Sequence, residues 1–367
     1  MTASVLIFGG TGRIGSSVAR YVCQLPDVSV TISGRNAERG QQLCQALGET
    51  IQFLRLSLED VAGLREAIAK TNLVIHCAGP FLYRDASVLK QCIEAGIHYL
   101  DVSDSRDFTQ LALSLRPQAE TAGVTAIINS GIFPGISNSM VRQAAEQLDV
   151  PDRIQLSYVV AGSGGAGLTV MRTTFLGLLH PFQAWVAGAW QAVEPYSDRQ
   201  SVTFPHYGKA PVYWFDVPET LTLAESFPTV QTVATKFGSL PDIYNHLTWL
   251  TARGIPPKLL KHPTTIEFLS YVSYGMTQVS DRFTGIGVAI RAEVTGRLDG
   301  VERSAVSTLF YDDTAAAAGM GTAAIADSLL QGRLTKPGVW SVEQAVSTSD
   351  FEQAMAAHRL HVTVTID

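Results

Sequence analysis

The chain opens with an apolar run, Ser4-Val-Leu-Ile-Phe8, that passes directly into Gly9-Gly-Thr-Gly-Arg-Ile-Gly15. Gly10, Gly12 and Gly15 stand at the spacing G-x-G-x-x-G. That spacing asks for a strand, a turn too tight for side chains, and a helix whose first N–H groups point at a pyrophosphate. The segment 13–25 supplies the helix, with Ile14, Val18 and Val22 on one face. The pattern predicts a dinucleotide cradle built from Gly10, Thr11, Gly12, Arg13, Ile14 and Gly15.

The next strand selects the dinucleotide. Residues 28–32 alternate as a strand and lead into Ser33-Gly34-Arg35-Asn36, about twenty residues past the fingerprint. An acid at that strand end would bind the ribose 2′-hydroxyl of NAD, whereas an arginine suits the 2′-phosphate of NADP. No acid stands there, so Ser33, Gly34 and Arg35 predict NADP(H), with Asn36 a further hydrogen-bonding group.

Strands and helices alternate over the first 130 residues. Further strands are expected at 51–56, 73–77, 98–102 and 124–129, with helical patterns between them, one of which (Val88, Leu89, Cys92, Ile93) closes at Gly96. Pro117 should split the last helix of this stretch into two pieces. Six strands separated by helices predict an α/β fold, a Rossmann-type doubly wound parallel sheet. After Pro134-Gly135 the strands lengthen and alternate. Residues 288–294 and 301–311 flank Asp299-Gly300 as a hairpin, and 154–161, 212–215 and 230–237 are expected in the same sheet. This is a second, α+β domain with a mixed or antiparallel sheet. Two apolar stripes at helical spacing should cover it: Phe175 to Val193 through Leu178, Leu179, Phe182, Trp185, Ala189 and Trp190, and Leu269, Val272, Met276, Val279. The expected division is an NADP-binding domain at 1–133, a substrate and dimerisation domain at 134–312, and C-terminal helices at 313–367 packing back on the first domain.

Charge and cysteines narrow the function classes. The formal charge is −6 with no basic run, which argues against nucleic acid. The first apolar run is too short, and lacks the basic lead, for a signal peptide. The stretch 168–193 is apolar but interrupted by Arg172, His180, Pro181 and Gln183, so a transmembrane span is not expected. The four cysteines form no C-x-x-C pair, which predicts no metal site and a cytoplasmic home.

In an open parallel sheet, ligands sit beyond the carboxyl ends of the strands. Three such ends carry suggestive segments: Cys77-Ala78-Gly79-Pro80-Phe81, Tyr99-Leu-Asp101-Val-Ser-Asp104, and Asn129 to Asn138. Small residues at Ala78, Gly79 and Pro80 would let a cofactor approach the backbone, with Phe81 as a wall for the nicotinamide. Asp101 could relay a proton or orient an amine; equally, it could bond loop N–H groups. His76, inside its strand, is expected to be an interior histidine with satisfied nitrogens.

Together, GGTGRIG, SGR, AGPF, AGIHYLDVSD and SGIFPGISN resemble the saccharopine dehydrogenase-like family of NADP-dependent oxidoreductases, and residues 336–345 resemble tails seen in it. The resemblance implies hydride transfer to or from a C=N or C=O bond of a small substrate, with Ala78, Gly79, Pro80 and Phe81 on the nicotinamide side and Tyr99 and Asp101 facing a substrate cleft. Asp104-Ser105 stands where the family often has Gly-Glu, a departure that bears on the substrate. A second glycine cluster, Gly162 to Gly167, precedes Arg172; a cation in the first turns of a helix is disfavoured by the dipole, which suggests a carboxylate ligand. Tyr99, Asp101 and Arg172 are the candidate catalytic residues, in a cleft between the domains. The alternatives are reduction of an apolar enone, motivated by the Phe175–Trp190 aromatics, and a non-catalytic NADP-binding sensor. A small-molecule substrate and a homodimer complete the expected partners.

Overall fold

The computed structural model describes residues 2–48, 50–163, 168–260 and 262–367. Of the second glycine cluster, Gly164 to Gly167 lie outside the described residues. Chain contacts divide the protein into two units, residues 1–136 with 315–354, and residues 137–314 with 355–367.

The first unit alternates β1 (Ala3–Phe8), α1 (Arg13–Val22), β2 (Val28–Gly34), α2 (Ala37–Leu47), β3 (Ile51–Arg55), α3 (Val61–Ile68), β4 (Leu73–His76), α4 (Ser87–Ala95), β5 (His98–Asp101), α5 (Arg106–Leu113), α6 (Arg116–Thr121) and β6 (Thr125–Ile128). Pro117 falls in the first turn of α6, where its missing N–H costs nothing. The strands pair in parallel in the order β3-β2-β1-β4-β5-β6. Both faces are covered. Val5 and Ile7 of β1 join one core with Val18 and Val22 of α1; Leu6 and Phe8 join another with Leu64 and Ile68 of α3 and Leu89 and Cys92 of α4. Burial on both faces explains why these strands read as continuous apolar runs.

The second unit begins within α7 (Ile136–Ala145) and continues through β7 (Val150–Ala161), α8 (Leu168–Leu176), β8 (Phe182–Val186), β9 (Ala189–Val193), β10 (Gln200–Phe204), β11 (Gly208–Trp214), α9 (Glu219–Ser226), β12 (Thr232–Leu240), α10 (Ile243–Gly254), α11 (Pro257–Leu260), α12 (Pro263–Thr284), β13 (Gly287–Leu298) and β14 (Val301–Tyr311). Its sheet is mixed: β12 and β7 run parallel, and the other pairs run antiparallel. The expected hairpin forms across Asp299 and Gly300, whose φ values of 52° and 77° are those of a tight two-residue turn matched to strand twist.

Two expectations for this unit are corrected. The stripe from Phe175 to Val193 is not one helix. The helix α8 stops at Leu176, and residues 182–193 form the hairpin β8–β9. Pro181 blocks continuation of a helix, Ala187 and Gly188 take positive φ, and Trp185 faces Trp190 across the strands at 5.3 Å between rings. The second stripe does lie on α12, but Val272, Met276 and Val279 face solvent instead of covering the sheet.

The chain then returns. The helix α13 (Thr314–Leu330), strand β15 (Gly338–Ser341) and helix α14 (Val342–Ala345) belong to the first unit, and β15 adds a seventh parallel strand beside β6. Gly319 lets α13 lie on α1, since a Cβ there would fall 2.6 Å from Ser17 Oγ. After α15 (Thr348–Ala357) the tail departs from the expectation that all of 313–367 packs on the first domain. Residues 355–367 belong to the second unit, where β16 (Val362–Ile366) pairs with β14. An open strand edge offers unpaired N–H and C=O groups, and this alternating segment takes them.

Candidate cofactor site at the strand ends

The order of the first sheet reverses between β1 and β4, the place where such sheets bind ligands. The loop after β1 is shaped by glycine. A Cβ on Gly9 would fall 2.7 Å from Ala78 Cα, so this turn and the one after β4 lie against each other. A Cβ on Gly15 would strike the Gly9 carbonyl. Gly12 differs. Its φ of −74° and ψ of 171° suit any residue, and a Cβ there would meet only Gly9 O at 3.1 Å. Glycine at this position therefore leaves room outside the turn. Gly12 is also the N-cap of α1, with no side-chain cap and no acid in the first turn, so the helix presents backbone N–H groups and partial positive charge there. A pyrophosphate fits this cradle.

At the end of β2, Ser33 is buried and its carbonyl accepts the N–H of Gly10 at 3.0 Å. Thr11 packs over Gly34, where a Cβ would fall 2.6 Å from Thr11 Oγ1. Arg13 and Arg35 are exposed. No carboxylate among the described residues pairs with Arg35. Asn36 caps α2 by accepting the Arg39 N–H at 3.0 Å, so its side chain serves the helix.

The loop after β4 is held by a residue the sequence had not pointed to. Arg84 donates from Nε to Ala78 O at 2.9 Å and from Nη2 to Gly79 O at 3.5 Å. Phe81 is buried, with its ring 4.9 Å from those of His76 and Phe108. The sequence signal for Arg84 was its place three residues beyond Phe81, and it carries no motif.

Tyr99 and Asp101 are buried within the first unit. Alternation along β5 turns both toward the core on the α3–α6 side, and both are fully buried. The Tyr99 hydroxyl lies 3.1 Å from His76 Nδ1. Burial holds the His76 ring neutral, with its pKa lowered to about 3; its Nε2 has no partner among the described residues, so the histidine is interior but half satisfied. Asp101 Oδ1 accepts the N–H groups of Asn129 at 2.8 Å and Ser103 at 3.0 Å, and the Asp101 carbonyl accepts the Ser130 hydroxyl at 2.8 Å. Asn129, with φ 61°, donates to Ser103 O and Thr109 Oγ1, both at 2.9 Å. Thr322 of α13 donates to Ser130 O at 2.8 Å. Asp101 thus pins the loops that follow β5 and β6. Burial pushes its carboxyl up to about 6, while the N–H groups of Asn129 and Ser103 and the Tyr99 hydroxyl hold it partly down.

Arg172 lies on α8 of the second unit, in a two-pronged ion pair with Glu267 at 2.6 and 2.7 Å. The second half of the Asn129–Asn138 motif serves that unit as well. Ser137 Oγ donates to the buried Glu219 at 3.0 Å, Tyr158 donates to the same oxygen at 2.7 Å, and Asn138 bonds Thr222 at 3.3 Å. Glu219 lay in no sequence motif. Among the described residues, no cluster of His, Cys, Asp and Glu is placed to hold a metal, and no helix is long and apolar enough to cross a membrane.

A parallel sheet wound in this order, with a bare helix N-terminus behind Gly12 and a free arginine at the end of β2, defines a dinucleotide-binding domain of the NADP type. Comparison with known proteins agrees. Residues 5–127 match the family model described as the saccharopine dehydrogenase NADP binding domain. The chain is 24% identical to carboxynorspermidine synthase of Vibrio cholerae, with 91% of each chain covered. It is 22% identical to carboxyaminopropylagmatine dehydrogenase of Synechocystis, covering 93% of this chain and 92% of the relative. The solved structure of saccharopine dehydrogenase (L-Glu forming) from Saccharomyces cerevisiae superposes with a TM-score of 0.72 over all of both chains at 14% identity, a likeness of fold. In residues 5–127 and in its fold, the chain is similar to proteins of the saccharopine dehydrogenase-like family. It is an NADP-dependent oxidoreductase.

Proposed function

We propose that the enzyme makes or cleaves the C–N bond of a small carboxylated amine, through a C=N bond formed between an amine and a carbonyl with loss of water. The observation that carries this is the near-full-length likeness to two enzymes whose names denote carboxylated polyamines. Bound NADPH supplies the hydride, or NADP takes it up in the reverse direction. The first turn of α1 and Gly12 hold the pyrophosphate, with Thr11, Arg13, Ile14 and the flanking Gly10 and Gly15 shaping the cradle. Arg35, beside Ser33 and Gly34, takes the 2′-phosphate. Arg84 fixes Ala78, Gly79 and Pro80 on the nicotinamide side. Asp101 is a positioning residue that sets the loops after β5 and β6, and Tyr99 supports it from the core. A role for Arg172 as ligand to a substrate carboxylate requires it to exchange Glu267. We further place the enzyme in the cytosol as a homodimer, in keeping with its four free cysteines.

The apolar-enone alternative rests on the aromatics from Phe175 to Trp190, which are divided between α8 and the β8–β9 hairpin. The test is NADPH consumption with amines and keto acids or aldehydes, singly and paired. Consumption should require both partners. Turnover of an enone alone, or NADPH binding without turnover of any pair, would overturn the proposal.

A further inference from the structure

The helix α12 packs Ile266 and Leu269 into a small core near its start but turns most of its other apolar residues outward. Its inward positions include Ile266, Ser270, Ser273 and Thr277, while Phe268, Val272, Gly275, Met276, Val279 and Phe283 face solvent. Phe283 is 84% exposed, Phe268 65% and Val279 62%. A surface helix ordinarily shows the opposite arrangement.

The outward stripe has a second property. Its positions are symmetric about the point between residues 275 and 276: Phe268 mirrors Phe283, Val272 mirrors Val279, and Gly275 mirrors Met276. Laid antiparallel on a second copy, the helix meets itself with like against like at both ends and a glycine opposite a methionine at the centre. That is the self-complementarity of a two-fold contact, in which residue i meets j and j meets i. Gly275 fits this role. A mid-helix glycine is destabilising relative to alanine, and among the described residues, the helix's own backbone aside, nothing lies within 4 Å of where its Cβ would be. The space it leaves serves no neighbour among the described residues.

The area is also sufficient. The exposed parts of Phe268, Tyr271 and Phe283 offer on the order of 400 Å². Tyr244 of α10 donates to Met276 O at 3.0 Å, so the two helices meet there, and α10 carries its own exposed Ile243, Leu247 and Leu250. With these aliphatic groups the face approaches the roughly 800 Å² per partner of a standard interface. It exceeds the largest apolar patch of most monomers, about 300–600 Å².

We infer that α12 is the centre of a two-fold interface with a second copy of this chain, the helices antiparallel about Gly275 and Met276. This deepens the homodimer part of the function proposed above and is independent of its chemistry. The experiment is sedimentation equilibrium of the full chain at micromolar concentrations. The native protein should sediment at twice the chain mass. Val272→Glu with Val279→Glu should sediment at the chain mass, with unchanged far-ultraviolet circular dichroism and NADPH affinity. Gly275→Leu should raise helix propensity yet weaken the dimer at least tenfold, an effect that a purely structural glycine would not produce. A native dimer that survives both changes would overturn the interface and leave the homodimer standing. A native monomer would overturn both, as would a monomer that pellets with phosphatidylcholine vesicles through this face.

Discussion

The two units bury their apolar residues in different ways. In the first, every strand of the sheet has helices of the same unit on its faces, and each apolar stripe of the sequence finds a partner within the chain. In the second, one helix turns serine and threonine inward and phenylalanine and valine outward. Periodicity in a sequence reports that residues share a face, and it does not say what covers that face. Where the chain covers itself, periodicity yields the fold. Where the cover lies outside the chain, the same signal points the helix the wrong way round.

The largest predicted effect probes the region where sequence and structure agree best. Gly12→Val should reduce NADPH affinity by more than about a hundredfold, because the side chain would take the place of the pyrophosphate. The fold should persist. Gly12 already has a φ that valine adopts, and the nearest atom to a new Cβ is one carbonyl oxygen at 3.1 Å. Fluorescence titration with NADPH, alongside thermal unfolding, separates the two effects. Intact binding by a folded variant would show that the first unit is a glycine turn without a ligand.

Next in size is cofactor choice. Arg35→Ala removes a charge-assisted contact worth about 1.5–3 kcal/mol, so NADPH affinity should fall about tenfold to a hundredfold while NADH affinity barely moves. Equal affinities for the two cofactors in the native protein would contradict the assignment of Arg35.

Within the first unit, legibility stops at the buried polar groups. The glycines and Arg35 could be read because their roles follow from backbone geometry and a fixed spacing. Arg84 could not, since its carbonyl partners are set by how the loop after β4 turns. Tyr99 and Asp101 stood at a strand end, where they could point up into a cleft or down into the core, and only the three-dimensional pleat separates these outcomes. The strand β15 was missed because its partner β6 lies more than 200 residues away. In the second unit the aromatic run 182–193 has helical spacing and strand structure at once, and Pro181 with the Ala187-Gly188 turn decides for the strand.

The Asp101 position can be tested by pH. Its folded pKa of about 6 lies above the ordinary aspartate value, so its contribution to stability is complete below about pH 4 and is lost as pH rises through 6. Asp101→Asn keeps an oxygen for the N–H groups of Asn129 and Ser103 and removes the titration. Relative to the native protein, the variant should gain about 2 kcal/mol between pH 4 and pH 7. Urea unfolding at the two pH values measures this difference, and other titrating groups common to both proteins cancel. A constant difference would mean that the carboxyl ionises as easily folded as unfolded.

The smallest effect belongs to the second unit and tests whether its conspicuous cation has any role beyond packing. Arg172 ties α8 to α12 through Glu267, and the pair is partly solvated, with side chains 26% and 45% exposed. Such pairs contribute little because water screens the attraction and both side chains lose rotamer freedom. Arg172→Ala should therefore lower unfolding stability only slightly and leave NADPH affinity unchanged. Its kinetics carry the information. If Glu267 is the whole of its role, KM for an acidic substrate stays within about twofold, and Glu267→Gln behaves the same way. If the arginine exchanges Glu267 for a substrate carboxylate, KM rises in Arg172→Ala and falls in Glu267→Gln, because removing the competing carboxylate frees the guanidinium. The opposite signs of the two variants separate a ligand from a strut, which no single substitution at Arg172 can do.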